Sequence, residues 1–145
     1  MKNLERKPIV FFNASVILAG LKSPNGGSAK LLNWVKENKI IGIISEIVIE
    51  EVLKNTNKIF LTKEKALKLI SQIFLIVKSP NKKYFSVFKD IVLDEEDIHL
   101  LVSAKNVKAN FLVSLDKKHI LSLKNKIKDF KIVLPKELIE FLRFN

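Results

Sequence analysis

A chain of 145 residues with 48% hydrophobic and 28% charged residues has the apolar content to pack one domain and is too apolar to stay disordered. It contains no cysteine, which excludes disulfides, thiolate metal sites and cysteine nucleophiles, and which fits a reducing interior. The net charge of +11 points to a polyanionic partner, nucleic acid first. A bland source exists too: 24 of the 26 basic residues are Lys, as an AT-rich genome would give, and only two are the Arg suited to bidentate phosphate recognition.

The N-terminus has the outline of a secretory signal, with Lys2, Arg6 and Lys7 ahead of an apolar run. Glu5 in the basic part, Asn13 in the apolar part and the lack of an A-x-A-like cleavage site argue against it. The run Ile9 to Leu21 is also shorter than the roughly 20 residues that span a bilayer. The expectation is a cytoplasmic protein of one domain, residues 1–145, without a membrane segment.

Residues 8–12, PIVFF, form a short apolar run of the kind that makes a strand buried on both faces. SPNGGSAK (23–30) is a loop by turn chemistry, with Ser28 placed to cap a helix carrying Leu31, Leu32, Trp34 and Val35. IIGII (40–44) is a second buried strand, and Ser45 caps a helix with Val48, Ile49, Val52 and Leu53 inward. A helix over about 62–73 leads to a strand in FLIVKSP (74–80) that Pro80 stops. The pattern is helical again from Asp97 to Val107. ANFLVSLD (109–116) and KIVLP (131–135) read as strands, and a terminal helix covers about 136–144. Alternating strands and helices predict an α/β fold with a parallel sheet and helices on both faces.

Ligands of open α/β sheets bind beyond the carboxyl ends of the strands. Asn13 and Asp116 close two strands there, Asp97 stands in the first turn of a helix that starts at that edge, and Glu51 borders the buried face of the helix after the second strand. Each has an ordinary structural alternative: a turn residue for Asn13, a surface acid for Glu51, a capping-box member opened by Asp94 for Asp97, and a turn cap for Asp116. Their convergence on one edge is what points to function. Two carboxylates about 4 Å apart repel by roughly 4 kcal/mol at an effective dielectric of 20, and a hard divalent ion, Mg²⁺ or Mn²⁺, reverses that sign. Such an ion activates water against a phosphodiester, with the basic surface holding the polyanion. Lys117, Lys118, Lys124 and Lys126, in the stretch 116–131 with six Lys against two Asp, are the candidate phosphate contacts; their alternative is a solvated amphipathic face. His99 and His119 read as structural, and Phe11, Phe12 and Trp34 as core.

With FFNASVILAG, SPNGGSAKLLNW, IISEIVIEEVLK and DEEDIHLLVSAKNVKANFLVSLD in this order, the sequence resembles the PIN-domain nucleases over nearly its whole length. The resemblance implies a three-layer, Rossmann-like fold with sheet order 3-2-1-4-5 and Mg²⁺- or Mn²⁺-dependent endoribonuclease activity. It also implies a metal site at Asn13, Glu51, Asp97 and Asp116, with Ser114 at a position where the family often has Thr or Ser. Small prokaryotic members are often toxins paired with a separate antitoxin chain, and often homodimers, acting on RNA, typically single-stranded. The chain departs from the pattern at the first acid, where Asn13 replaces Asp. An amide keeps a carbonyl oxygen but loses a charge, so metal affinity and activity are expected to be reduced or lost. Two other readings stand beside this one: a non-catalytic PIN-like module that holds RNA or a protein, and a receiver-like or nucleotide-binding α/β domain. The latter is weakened because PNGGSAK lacks the spacing of a phosphate-binding glycine loop.

Overall fold

The computed structural model describes residues 6–92 and 94–143. Five strands, β1 (Ile9–Phe12), β2 (Ile41–Ser45), β3 (Leu75–Val77), β4 (Phe111–Val113) and β5 (Lys131–Val133), form one parallel sheet of order β3-β2-β1-β4-β5. The α/β class and the 3-2-1-4-5 order are those expected. Short apolar strings such as IVFF become strands because parallel neighbours and helices cover them on every side: Val10, Phe11 and Phe12 are all fully buried.

Among the described residues six α-helices surround the sheet: α1 (Ala14–Lys22), α2 (Gly27–Lys36), α3 (Glu46–Lys54), α4 (Lys63–Ile73), α5 (Glu95–Asn106) and α6 (Pro135–Leu142). The crossovers from β1 through β2 to β3 step one way across the sheet and the crossover through α5 steps back. Right-handed connections therefore put α5 on the face opposite α1–α4. Close approach of the layers needs glycine at two places. A Cβ on Gly20 would lie 2.6 Å from Leu32 Cδ1, and one on Gly42 would lie 2.8 Å from Val35 Cγ2.

Several boundaries differ from the sequence reading. Helix α1 is an addition to the sequence reading: SVILAGLK is apolar on nearly every side, with no polar stripe to mark a helical period, and its packing against α2 and α3 explains why. Gly26, not Ser28, is the N-cap of α2, and Ser28 is buried in the first turn. Helix α5 starts at Glu95, two residues before Asp97, because the Asp94 side chain accepts a hydrogen bond from Glu96 N and caps it there. The strands in 74–80, 109–116 and 131–135 shrink to three residues each. Helix α6 begins at Pro135, and the expected extension to Phe144 lies outside the described residues. Ser45 and Thr62 cap α3 and α4, accepting from Val48 N (3.4 Å) and Lys65 N (3.1 Å). No helix among the described residues is long and apolar enough to cross a membrane.

Candidate active site

At the carboxyl edge of the sheet a cavity of about 220 Å³ is lined by Asn13, Glu51, Asp94, Glu96, Asp97, His99, Asp116 and His119, floored by Val48 and Leu100. Asn13, Glu51, Asp97 and Asp116, far apart in sequence, thus meet around one space. Three helices and one loop bring them there. Asn13 is the N-cap of α1, Glu51 sits on the second turn of α3, Asp97 on the first turn of α5, and Asp116 on the loop after β4. In a parallel α/β sheet the helices that follow strands begin at this edge, so their positive dipole ends favour the acids.

Asn13 is buried and doubly committed. Its Oδ1 accepts from Ala14 N at 2.8 Å, and its Nδ2 donates to Ser114 Oγ at 2.8 Å. Ala14 N–H can only donate, so the orientation of the amide is set by chemistry. Ser114 Oγ, fully buried, also accepts from Asp116 N at 3.0 Å, which leaves the hydroxyl hydrogen free to donate. Ser15 Oγ accepts from Leu115 N at 3.1 Å and ties the same loop to α1. The amide therefore acts as a clamp between β1, α1 and the Asp116 loop.

Asp116 is held by its own turn: Oδ1 accepts from His119 N at 2.9 Å, and Oδ2 faces His119 Nδ1 at 3.3 Å. The turn-cap alternative for Asp116 is realised, and it leaves the carboxylate on the cavity wall. Glu51 is exposed along its length, yet partial desolvation, then the charges of Glu96, Asp97 and Asp116, push its carboxyl above the ordinary range. Desolvation also raises Asp97, followed by the charge of Asp94, with His119 acting in the opposite direction. His99, 5% exposed, is pushed down to about 4 by burial, and its Nδ1 has no hydrogen-bond partner. Both histidines therefore line the cavity. For His119 the legible signal was its place three residues after an acid that ends a strand; His99, two residues after Asp97, gave none.

Among the described residues no three His, Asp or Glu side chains are arranged to hold one metal ion between them. The donors are hard oxygens, however, and Mg²⁺ keeps most of its waters and needs only one or two carboxylates plus substrate phosphates. The residues fit a largely hydrated ion and not one enclosed by protein ligands.

A PIN domain family model matches residues 9–118, a span that holds all four of these positions. The chain belongs to the PIN-domain family. Its members are generally nucleases. Among solved structures, this PIN domain resembles VapBC2 from Rickettsia felis bound to a DNA fragment from their promoter: 16% identity, 87% of this chain and 98% of that one, TM-score 0.63. It also resembles PAE2754 from Pyrobaculum aerophilum: 19% identity, 94% of this chain and 96% of that one, TM-score 0.64. At these identities the likeness speaks for the fold alone. No curated protein matches the chain. The exposed Lys117 and Lys118 follow Asp116 directly, Lys126 is exposed beyond them, and Lys124 pairs with Glu137 at 3.8 Å.

Proposed function

We propose that this PIN domain is a divalent-metal-dependent endoribonuclease whose activity is reduced or abolished by Asn13. The observation that carries the reading is the gathering of Asn13, Glu51, Asp97 and Asp116 around one polar cavity at the carboxyl edge, where burial and then neighbouring acids disfavour the charge of Glu51 and Asp97. When bound, Mg²⁺ or Mn²⁺ supplies charge neutralisation and an activated water for phosphodiester hydrolysis. Glu51 and Asp97 hold their protons more tightly than ordinary carboxyls, so cation binding competes with protons there and weakens as pH falls. Asp116, pinned by its own turn, presents its carboxylate at a fixed place. Ser114 orients Asn13 and the Asp116 backbone and has a hydroxyl hydrogen left to donate. Lys117 and Lys118, next in the chain after Asp116, together with Lys124 and Lys126 further along, serve as phosphate contacts for single-stranded RNA in this reading. Asn13 brings no charge, and its oxygen already serves as a helix cap, so the ion is held weakly.

The biological setting that fits is the toxin of a toxin–antitoxin pair, with the antitoxin a separate chain and the toxin a homodimer; the named VapBC2 complex, of similar fold, motivates this. A second reading, a non-catalytic module that holds RNA or protein, is favoured by the clamp geometry of Asn13 itself.

The test is cleavage of single-stranded RNA by the Asn13→Asp variant in Mn²⁺. Cleavage that vanishes on adding Asp97→Asn or Asp116→Asn supports the enzyme; an inactive Asn13→Asp variant that still folds favours the module. Asn13→Asp is also expected to melt lower than the parent in EDTA and to recover with Mg²⁺. Identical melting in both media would mean that the four positions share no ion.

A further inference from the structure

The opposite, amino edge of the sheet holds a larger cavity, about 680 Å³, built from the starts of β1 (residues 6–9), β4 (108–111) and β5 (128–131) and the end of α6 (141–142). Along β1 it lies about 13 Å from Asn13, at roughly 3.3 Å per residue. Among the described residues its wall carries Arg6, Lys7, Lys108, Lys128 and Lys131, all exposed, against one carboxylate, Asp129. Asp129 is already engaged by Lys105, a cation outside the wall, at 3.7 Å.

Helix C-termini do end here, and lysines commonly answer their partial negative charge. Helices α5 and α6 supply about half an elementary charge each, far less than five cations require. Lys108 moreover occupies a left-handed turn (φ 56°), a backbone conformation that glycine or asparagine fills at lower cost. The positive charge is in excess of what the fold needs.

An aromatic group stands inside this field. Phe141 is 59% exposed, unusual for a phenylalanine at a helix end. It is held rather than loose: Phe111 packs against it edge-on at 5.3 Å, and Lys131 Nζ lies 4.4 Å from its ring centroid. A cation over one face of an exposed ring, within a basic cavity, is a combination that can take a phosphate at the ammonium and a stacked base at the ring. An acidic peptide would use the lysines and leave the ring idle.

We infer that the amino-edge cavity is a second nucleic-acid site, separate from the acidic one, in which Phe141 stacks a base of a single strand while Lys108 and Lys131 hold its phosphates. It goes beyond the proposed nuclease, and it is tested without cleavage.

The experiment is fluorescence anisotropy of the full chain in EDTA with labelled single-stranded RNA, DNA of the same sequence, and inorganic polyphosphate as a polyanion without bases. Strands of about 12 nucleotides lie within the span of one groove. Salt is varied between about 50 and 200 mM. Phe141→Leu keeps apolar bulk against Phe111 and removes the stacking face, and its melting temperature verifies that it folds. It is expected to weaken the nucleic acid about tenfold and to leave polyphosphate unchanged. Lys108→Gln with Lys131→Gln is expected to weaken both, and to flatten the salt slope by about 1.4, at about 0.7 per phosphate. The RNA and DNA arms identify which strand the site takes. Nucleic-acid affinity within twofold of the parent in a folded Phe141→Leu chain overturns the inference. So does a lysine pair that alters polyphosphate binding alone, which would mark a surface for acidic protein. Loss of binding in Lys117→Gln with Lys118→Gln, and in no amino-edge variant, would overturn it as well while leaving the nuclease reading standing.

Discussion

The two ends of the sheet are built from the same strands and carry opposite charge. At the carboxyl edge, acids surround a small cavity; at the amino edge, cations and a ring surround one about three times larger. Chain direction gives the sign, because helices in a parallel α/β fold start at one edge and finish at the other, and their dipoles invite acids and bases accordingly. Chain direction does not give the excess. Partial burial first, and neighbouring acids second, make Glu51 and Asp97 bind protons more tightly, whereas the lysines at the other edge are exposed and water-screened. The acids thus meet in a partly desolvated cavity, while the cations stand in water.

The largest test of this contrast uses pH. The His99 pKa, near 4, lies below its unfolded value, so the folded chain binds fewer protons. That contribution is whole above pH 6.5 and is lost as pH falls from there toward 4, on the order of 3 kcal/mol in all. Glu51 and Asp97 act oppositely: their raised pKa values make the folded chain lose stability as pH rises through them and regain it on acidification. In His99→Leu the acid loss between pH 6.5 and 4 is expected to shrink, as read by urea unfolding. A variant that follows the parent curve would remove His99 as its source.

Next comes Ser114→Ala, which leaves Asn13 Nδ2 and Asp116 N without their acceptor and is expected to cost about 2 kcal/mol. A loss below about 0.5 kcal/mol would show that water replaces the hydroxyl and that the clamp is dispensable. The smallest effect separates the two edges most directly. Glu51→Gln or Asp97→Asn should stabilise the chain at pH 7 by at most about 1 kcal/mol after solvent screening, read as a higher melting temperature, and Lys108→Gln should leave it unchanged. Equal responses at both edges would erase the contrast.

Much of this arrangement was legible before any coordinates. PIVFF and IIGII announce buried strands, Ser45 and Thr62 announce helix starts, and the family resemblance names the four positions and the sheet order. The misreadings have two sources, burial that hides a helical pattern and a local cap that moves a boundary. Helix α1 carries no polar stripe because both its sides are covered, and α5 begins early because Asp94 caps it locally.

The residue string alone determined the alternation of strands and helices, the absence of thiol chemistry and the positive charge, since these follow from local periodicity and composition. Tertiary structure decided the rest. Only folding sets Asn13 against Ser114 across 101 positions, turns both histidines toward the acids, and collects the starts of three strands around Phe141. Contacts between distant segments depend on how parallel strands register and which way crossovers wind, and neither is written in any single stretch of the chain.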